Sequence, residues 1–277
     1  MKRACVIGWP IEHSRSPLIH GYWLKKYAID GSYTKQAVAP EALDAFLSTL
    51  AEQGLAGCNV TVPHKEAAFA AAEIKDESAI AVGAANTLWL DHGKLACANT
   101  DTYGFMTHLA AVAPGWMKAG RPVAILGAGG AARAIVYGFL KAGVSEVRVF
   151  NRSRARADDL ARHFGSRVTA FAWDAFETHA GDVSVVVNTT TLGMKGQSDL
   201  NCDLRSLPGD CVVADIVYVP LDTAFLQRAR GRGLRTVDGL GMLLHQAVPG
   251  FEKWFGVKPE VTAELRALIE TDIRGAV

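Results

Sequence analysis

Short runs of β-branched and other apolar residues alternate with longer segments of helical spacing along the whole chain. In the first hundred residues the apolar runs predict strands at 4–7, 32–38, 58–62, 87–90 and 94–98. The segments between them, bounded by Gly, Pro or Asp, predict helices at 17–27, 41–53 and 65–72. This alternation is typical of a layered α/β protein with mostly parallel strands.

Turn residues separate this first part of the chain from the next. Asp91-His92-Gly93 predicts a hairpin, so part of the first sheet is expected to be antiparallel and the sheet therefore mixed. A helix is predicted over 103–112, and Ala113-Pro114-Gly115 breaks it before a new strand opens at Val123. We therefore expect a boundary between two domains in this region.

The second part of the chain repeats strand and helix in turn. Strands are predicted at 123–126, 147–150, 183–187, 212–216 and 235–237, and helices at 131–142 and 155–164. Strands recurring in such units predict a doubly wound nucleotide-binding sheet, the Rossmann fold. Beyond Gly241, apolar residues at helical spacing predict further helices that fit either domain.

Length, charge and composition limit the class of protein. At roughly 150 residues per domain, 277 residues suffice for about two domains, and a net charge of +1 argues against a nucleic-acid partner. The five cysteines lack C-x-x-C spacing and the eight histidines lack paired ligand spacing, so no disulfide framework and no metal site are expected. No segment resembles a signal peptide or reaches the roughly 18 apolar residues of a membrane span. We expect a cytoplasmic protein with reduced thiols and no membrane partner.

A glycine-rich turn stands between a predicted strand and a predicted helix. Residues 127–132, Gly-Ala-Gly-Gly-Ala-Ala, have the spacing that binds a dinucleotide pyrophosphate in this context. Gly127 permits the tight turn, Gly129 lets the backbone approach phosphate, and Ala132 permits close packing. The following helix offers its free N-terminal N–H groups to the anion. The turn therefore predicts a dinucleotide cofactor.

The residues after the next strand indicate which dinucleotide binds. An NAD site has a carboxylate about 20 residues after the glycine-rich turn, where it pairs with the ribose 2′-hydroxyl. This chain has Asn151-Arg152-Ser153 there, followed by Arg154 and Arg156. Guanidinium groups suit a 2′-phosphate, whereas positive charge at a helix N-terminus is otherwise mildly unfavourable. The arginine cluster therefore predicts NADP.

Polar segments follow two predicted strands in the first part of the chain. Ser14 and Ser16 precede a helix, where their hydroxyls and the N-terminal amides could hold a carboxylate, although the segment alone is also typical of a helix cap. Asn59 and Thr61 alternate along a strand and share one face, and Lys65 then enters a helix. A lone lysine at such a position is more often a solvated surface charge.

Asn86-Thr87 and Asn99-Thr100-Asp101 add uncharged donors and one carboxylate at strand ends, where ligand sites form. Eight segments follow one another along the chain: IGWPIEHSRSP (7–17), NVTVPHK (59–65), GAANT (83–87), NTDTYG (99–104), GAGGAA (127–132), NRS (151–153), DIVYVP (215–220) and GLGMLLHQA (239–247). Together, and in this order, they resemble the shikimate dehydrogenase family over essentially the whole chain.

The resemblance implies a domain plan and an activity. The plan is an N-terminal substrate domain over 1–104, a Rossmann NADP domain over 105–241, helices over 242–277 that pack back on the substrate domain, and a cleft between the domains. The activity is the reversible, NADPH-dependent reduction of 3-dehydroshikimate to shikimate, an oxidoreductase step towards chorismate and the aromatic amino acids. A homodimer is compatible with the resemblance, but the sequence does not indicate one.

The resemblance also implies a role for individual residues. Lys65 and Asp101 are expected to form the catalytic pair, because a carbonyl that accepts hydride needs a proton donor within hydrogen-bonding reach. Substrate contacts are expected from Ser14 and Ser16 at the carboxylate, and from Asn59, Thr61, Asn86 and Gln246 at the ring hydroxyls. Pyrophosphate contacts are expected from Gly127, Gly129, Gly130 and Ala131, and adenosine-phosphate contacts from Asn151, Arg152, Ser153 and Arg156. The nicotinamide half is expected to meet Thr190, Val217, Gly239 and Met242, with Tyr218 where substrate and cofactor adjoin.

Alternative functions stay open at this point. A quinate/shikimate dehydrogenase with dual substrate or NAD use has the same scaffold, and Ser14, Ser16 and the Arg152 cluster favour the stricter activity. A non-catalytic NADP-binding regulator is a second alternative, against which the presence of Lys65, Asp101 and Gln246 argues. Methylenetetrahydrofolate dehydrogenase shares a two-domain plan, but the segments around Ser14 and Lys65 are unlike it.

Overall fold

The computed structural model describes residues 1–275, which divide into two compact units. Unit 1 comprises Met1–Tyr103 together with Leu244–Thr271, and unit 2 comprises Gly104–Leu243 together with residues 272–275. No helix in the described range is both long and apolar enough to span a lipid bilayer. The same residues contain no group of three or more His, Cys, Asp or Glu placed to hold a metal ion.

Unit 1 is built on a mixed sheet. Its strands are β1 (Lys2–Gly8), β2 (Gly31–Ala37), β3 (Gly57–Val60), β4 (Ile74–Lys75), β5 (Thr87–Asp91) and β6 (Lys94–Ala98). Its first helices are α1 (Ser16–Lys26), α2 (Leu43–Ser48), α3 (Lys65–Ala71), α4 (Glu77–Val82) and the start of α5 (Asp101–Val112). The strand order is β2-β1-β3-β5-β6-β4, and β5 runs antiparallel to both of its neighbours. The predicted mixed sheet is confirmed.

The hairpin between β5 and β6 is the one that the sequence predicts. Asp91 pairs with Lys94, so His92 and Gly93 form a two-residue turn. Both turn residues have positive φ, 49° at His92 and 80° at Gly93, which is the backbone geometry of a type I′ hairpin. Glycine adopts this conformation without strain, and the twist of the turn matches that of the two strands.

Unit 2 is built on a parallel sheet with helices between the strands. Its strands are β7 (Val123–Leu126), β8 (Val147–Asn151), β9 (Val168–Ala172), β10 (Val185–Asn188), β11 (Val212–Asp215) and β12 (Arg235–Val237). Its helices include α6 (Gly130–Lys141), α7 (Arg154–Phe164), α8 (Phe176–His179) and α9 (Ala224–Gly231). The order β12-β11-β10-β7-β8-β9, with every pair parallel, is that of a doubly wound dinucleotide-binding sheet, as predicted.

Two further helices complete the chain, α10 (Gly239–Phe255) and α11 (Ala263–Gly275). In unit 1, Trp254 is fully buried and its indole N–H donates to the carbonyl of Leu88 on β5 at 2.9 Å. The indole lies so close to β3 that a Cβ at Gly57 would stand 2.2 Å from Trp254 Nε1. This contact explains a glycine in a buried strand, because any side chain at Gly57 would displace the indole.

The structure corrects one predicted helix. Instead of a helix over 41–53, a 3₁₀ turn at Pro40–Ala42 leads into α2, which ends at Ser48. The hydroxyl of Thr49 donates to the carbonyl of Ala45 at 2.8 Å, and Gln53 Nε2 donates to the carbonyl of Phe46 at 3.1 Å. The carbonyl of Ala45 also accepts from the main-chain N–H of Thr49 at 3.3 Å, whereas the Gln53 side chain satisfies the Phe46 carbonyl, which a longer helix would have bonded to a main-chain N–H.

Candidate active site

Lys65 and Asp101 form a half-buried ion pair in unit 1. Lys65 is the first residue of α3 and Asp101 the first residue of α5, so both side chains stand where a helix begins. Lys65 Nζ lies 2.7 Å from Asp101 Oδ2, and the two side chains are 32% and 15% exposed. Partial burial lowers the local dielectric and strengthens the pair relative to one in open water.

Asn86 connects this pair to the sheet, and its amide has one orientation. Asn86 Oδ1 accepts from the main-chain N–H of Thr100 at 2.8 Å, and from the hydroxyls of Thr100 and Thr87 at 3.1 Å. Asn86 Nδ2 is thereby directed to Asp101 Oδ1 at 2.9 Å and to Gln246 Oε1 at 3.5 Å. A flipped amide would set its N–H groups against the main-chain N–H of Thr100 and its oxygen against the Asp101 carboxylate, so these two groups, together with the threonine hydroxyls, fix the direction of the Asn86 amide.

Asn59 lies behind Asn86 and is almost wholly occupied by partners within unit 1. Its Nδ2 donates to the carbonyl of Asn86 at 3.1 Å and to the hydroxyl of Thr87 at 3.2 Å. Its Oδ1 accepts from the phenol of Tyr33 at 2.6 Å. Asn59 is 5% exposed, and an acceptor position on Oδ1 is what remains of its hydrogen-bonding capacity.

His20 packs against Tyr33, the partner of Asn59. Its ring stacks on that of Tyr33 with centroids 4.0 Å apart, and it also contacts Trp23, Phe251 and Trp254. Burial lowers the pKa of His20 to about 3, so the imidazole is neutral at physiological pH. His20 and Tyr33 were not predicted as site residues, because their contacts join segments far apart in sequence.

The remaining predicted substrate residues of unit 1 lie at the carboxyl ends of two neighbouring strands. Ser14 and Ser16 follow β1, and the main-chain N–H of Ser16 donates to Ser14 Oγ at 3.3 Å. Thr61 follows β3, and its N–H donates to the carbonyl of Ile7 on β1 at 2.9 Å. In open α/β sheets this edge is where ligands bind.

In unit 2 the glycine-rich turn links β7 to α6. Gly127 has φ of 108°, and a Cβ there would stand 2.8 Å from Thr189 Oγ1, so glycine is required on both counts. Gly129 and Gly130 are exposed, and no heavy atom lies within 4 Å of a Cβ built on either. Gly129 caps α6 and Ala131 is half-buried in its first turn. The start of α6 therefore presents open space beside free main-chain N–H groups.

The arginine cluster at the start of α7 contains two kinds of side chain. Arg154 is paired with Asp158 one turn along the helix, with Nε 2.9 Å from Oδ1. Arg152 and Arg156 are exposed and have no side-chain partner among residues 1–275. Asn151 Nδ2 donates to the carbonyl of Ser153 at 2.8 Å, which holds the turn between β8 and α7.

The predicted nicotinamide residues follow β10, β11 and β12. Thr190 and Val217 lie two residues beyond the ends of β10 and β11, and Tyr218 is half-buried on the same loop as Val217. Gly239 opens α10 so close to this loop that a Cβ would stand 2.3 Å from the carbonyl oxygen of Ile216. Met242 is partly buried and packs against the core of the parallel sheet.

Comparison with known proteins gives matches to three successive parts of the chain. Residues 6–88 match the shikimate dehydrogenase substrate binding domain, residues 113–194 match shikimate / quinate 5-dehydrogenase, and residues 239–269 match the shikimate 5′-dehydrogenase C-terminal domain. A protein of Azorhizobium caulinodans named shikimate dehydrogenase (NADP(+)) is 56% identical over 273 residues, which cover 99% of this chain and 97% of the relative. The chain belongs to the shikimate dehydrogenase family. The resemblance seen in the sequence is thereby confirmed.

Solved structures of the family share the fold along its whole length. Shikimate 5-dehydrogenase from Thermus thermophilus, in complex with NADP(H) and shikimate, is 34% identical with a TM-score of 0.85 and full coverage of both chains. Quinate dehydrogenase from Corynebacterium glutamicum, in complex with NAD, is 28% identical with a TM-score of 0.89, over 98% of this chain and 99% of the other. Both activities considered for this shikimate dehydrogenase family member therefore occur on closely similar backbones.

Proposed function

We propose that this chain is an oxidoreductase that reduces 3-dehydroshikimate to shikimate with NADPH, reversibly. Its relative from Azorhizobium is named shikimate dehydrogenase (NADP(+)). The observation that carries the proposal is the Lys65–Asp101 pair, 2.7 Å apart, with Asn86 and Gln246 beside it. A proton donor, a carboxylate and neutral amides in one place fit the reduction of a carbonyl on a hydroxylated ring. In this proposal unit 1 is the substrate domain and unit 2 is the cofactor domain.

The residues of unit 2 fit NADP. Gly129 and Gly130 leave open the volume that a pyrophosphate requires at the start of α6, with Gly127 and Ala131 on either side. Within the part of the chain that the structure describes, the guanidinium groups of Arg152 and Arg156 have no protein partner, which leaves them free for a 2′-phosphate, and Asn151 and Ser153 shape the turn after β8. When NADPH is bound it supplies the hydride.

The residues of unit 1 fit a carboxylated ring. Ser14 and Ser16 lie at the start of α1, where two hydroxyls and free N–H groups meet a carboxylate. Ring hydroxyls are assigned to Thr61, Asn86 and Gln246, and to Asn59 through the remaining acceptor position on its Oδ1. Tyr218 of unit 2 is assigned to the substrate, and Thr190, Val217, Gly239 and Met242 to the nicotinamide half of the cofactor.

Lys65 is assigned the role of general acid. As hydride reaches the carbonyl carbon, negative charge develops on the oxygen, and Lys65 Nζ donates the proton that converts this oxygen to a hydroxyl. Asp101 Oδ2 holds the ammonium in place, and its Oδ1 accepts from Asn86, whose orientation Thr100 and Thr87 fix. In the reverse direction the same nitrogen removes the proton from the hydroxyl.

Use of quinate or NAD is the second candidate. The observation in its favour is the quinate dehydrogenase of Corynebacterium glutamicum, solved with NAD, whose backbone is closely similar. The unpartnered Arg152 and Arg156 favour NADP instead, because an NAD site gains nothing from two free guanidinium groups.

The test is the initial rate of nicotinamide reduction with purified protein, crossing shikimate and quinate against NADP⁺ and NAD⁺. We expect rapid turnover only with shikimate and NADP⁺. Comparable rates with quinate or NAD⁺ would establish the second candidate. No turnover in any combination would reject both and point to a protein that binds NADP without catalysis.

A further inference from the structure

Asp215 is a buried carboxylate at the end of β11 that the proposed chemistry does not use. It is 1% exposed and pairs in register with Asn188 at the end of β10. Its Oδ1 accepts from Asn188 Nδ2 at 2.9 Å and from the main-chain N–H of Val217 at 3.0 Å, and its Oδ2 accepts from the hydroxyl of Thr223 at 2.7 Å. All three donors are neutral, and no Lys, Arg or His in residues 1–275 forms an ion pair with it.

These hydrogen bonds hold the segments after β10 and β11, to which the nicotinamide half of the cofactor was assigned. Asn188 Oδ1 accepts from both the main-chain N–H and the hydroxyl of Thr190, at 3.0 and 2.7 Å. Because Asp215 binds the other end of the Asn188 amide, it fixes the direction in which Asn188 holds Thr190. The same carboxylate oxygen binds the N–H of Val217, so one atom connects the segment after β10 to the segment after β11.

The third bond connects Asp215 to the helix that follows. Thr223 is the N-cap of α9, and its hydroxyl oxygen accepts from the N–H of Leu226 at 3.3 Å while its proton goes to Asp215. The loop from Val217 to Thr223 is thereby held at both ends by the same side chain. Tyr218 lies on this loop.

We propose that Asp215 is a positioning residue for the nicotinamide half of NADP, acting through Asn188 on Thr190 and directly on the main chain of Val217. The inference rests on the proposed function for the identity of the ligand. It assigns no contact between Asp215 and the cofactor, since the side chain is buried beneath the segments that it holds.

The choice of a carboxylate at this position supports a functional role. Burial raises the pKa of Asp215 to about 6, and the three hydrogen bonds only partly oppose this rise. At neutral pH the buried charge of Asp215 therefore lowers the stability of the folded protein, and an asparagine at this position would not have this effect. Ionised, it can accept all three hydrogen bonds, whereas a protonated acid must use one oxygen as a donor.

Other charged groups on the neighbouring segments do not account for this behaviour. Asp238, which follows β12 beside β11, directs its carboxylate to the N–H groups of Leu240 and Gly241 and towards His108. Asp222 on the loop before α9 pairs with Arg230, and Arg228 of α9 donates to the carbonyl of Leu200. None of these groups is among the causes of the Asp215 shift.

The experiment compares two ligands on wild type and Asp215→Asn by isothermal titration calorimetry between pH 5 and pH 8. NADP⁺ carries the nicotinamide half, and adenosine 2′,5′-bisphosphate lacks it while keeping the 2′-phosphate. Both ligands titrate near pH 6 at that phosphate, so the ratio of their dissociation constants cancels its effect. The matched control is Asp210→Asn, two residues before the start of the same strand, where the carboxylate is exposed and paired with Arg121.

At pH 8 we expect Asp215→Asn to weaken NADP⁺ binding about tenfold and to leave adenosine 2′,5′-bisphosphate binding unchanged, the loss expected when hydrogen bonds to a charged acceptor are weakened. The difference between wild type and variant should vanish towards pH 5, where wild-type Asp215 is protonated. Equal losses for both ligands, or a loss that is the same at pH 5 and pH 8, would overturn the proposal and leave Asp215 a purely structural residue.

A second variant keeps the inference testable if Asp215→Asn does not fold. Thr223→Val keeps the carboxylate but removes one donor, so the pH at which NADP⁺ affinity falls should move upward. An unmoved midpoint would count against the proposal. Inactivity of the wild type with shikimate and NADP⁺ would reject the proposed function, whereas an active wild type with an unchanged binding ratio would reject this inference alone.

Discussion

The two proposed ligand sites in this chain are built in opposite ways. In unit 1 the polar side chains are already bonded to one another, in a series that runs from Tyr33 through Asn59, Thr87 and Asn86 to Asp101 and Lys65. In unit 2 the groups assigned to the phosphates are open, as at Gly129, Gly130 and Arg152, and the fixed polar bonds lie elsewhere, around Asp215 at the end of β11. The difference suits the tasks, because proton transfer needs fixed geometry whereas a dinucleotide needs an accessible anion site.

The variant with the largest expected effect removes the proposed proton donor, Lys65, from unit 1. Lys65→Ala should lower kcat by about 10²-fold or more, the usual size for a lost general acid or base. The dissociation constant of NADPH, measured by calorimetry, should not change, because Lys65 belongs to unit 1. Lys94→Ala, at the exposed start of β6, is the control and should retain full activity. Undiminished turnover in Lys65→Ala would remove this residue from the mechanism.

Asp215, the buried carboxylate of unit 2, should make the stability of the protein depend on pH in a defined direction. The folded-state pKa of Asp215 is about 6, above its ordinary value of 3.8, so the stability tied to this group is present below about pH 4 and lost as pH rises through 6. In urea unfolding, the free energy of unfolding of Asp215→Asn relative to that of the wild type should therefore rise by about 2 kcal/mol between pH 4.5 and pH 7.5.

The control for that measurement is an exposed carboxylate with a paired arginine. Arg121 beside Asp210 lowers the pKa of that carboxyl, so the stability tied to Asp210 is complete above about pH 4 and is lost only as pH falls below that value. The difference in stability between Asp210→Asn and the wild type should therefore stay constant between pH 4.5 and pH 7.5. A difference between Asp215→Asn and wild type that does not depend on pH would show that burial does not perturb Asp215 as described.

The next prediction distinguishes the arginine of unit 2 assigned to the 2′-phosphate from one that is paired within the protein. Arg152→Ala should raise the dissociation constant of NADPH at least tenfold and leave that of NADH unchanged, because charge-assisted bonds to the 2′-phosphate are lost. Arg154→Ala is the matched control, since Arg154 is paired with Asp158. Equal effects of Arg152→Ala and Arg154→Ala on NADPH binding would contradict the assignment, because they would mean that the pairing of Arg154 with Asp158 does not keep it from the 2′-phosphate.

The smallest expected effect is on the support of Asn86. Thr100→Val keeps the shape of the side chain but removes one of the hydroxyls that orient the Asn86 amide. The main-chain N–H of Thr100 remains, so kcat/KM for shikimate should fall only two- to tenfold, the value of one neutral hydrogen bond. Thr34→Val on the exposed face of β2 should have no effect. A hundredfold loss in Thr100→Val would mean that the hydroxyl takes part in the chemistry itself.

Features that depend on neighbouring residues could be predicted from the sequence, whereas contacts between residues far apart in the chain could not. The glycine-rich turn at Gly127 and the hairpin at Gly93 were readable because φ and neighbouring residues decide them locally. The Tyr33–Asn59 bond spans 26 positions and depends on how β2 and β3 flank β1, which no local pattern reveals. Asp215 lay within a recognised motif, but its partner Asn188 became evident only from the register of β10 with β11.

Some missed elements had local signals. Helix α4 begins after Asp76, whose carboxylate accepts from the N–H of Ala79 at 2.8 Å, and α9 begins after Thr223, which caps it in the same way. Both caps are residue types that mark helix starts, so these helices were predictable. Strand β4 has only two residues and was not, because its pairing with β6 is a tertiary contact.

The most direct test of the account is a crystal structure of this chain with NADP⁺ and shikimate. It should show the shikimate carboxylate on Ser14 and Ser16, one ring hydroxyl within hydrogen-bonding distance of Lys65 Nζ, and the 2′-phosphate between Arg152 and Arg156. Shikimate bound with Lys65 out of reach, or a 2′-phosphate without either arginine, would contradict the assignment of chemistry to unit 1 and cofactor selection to unit 2.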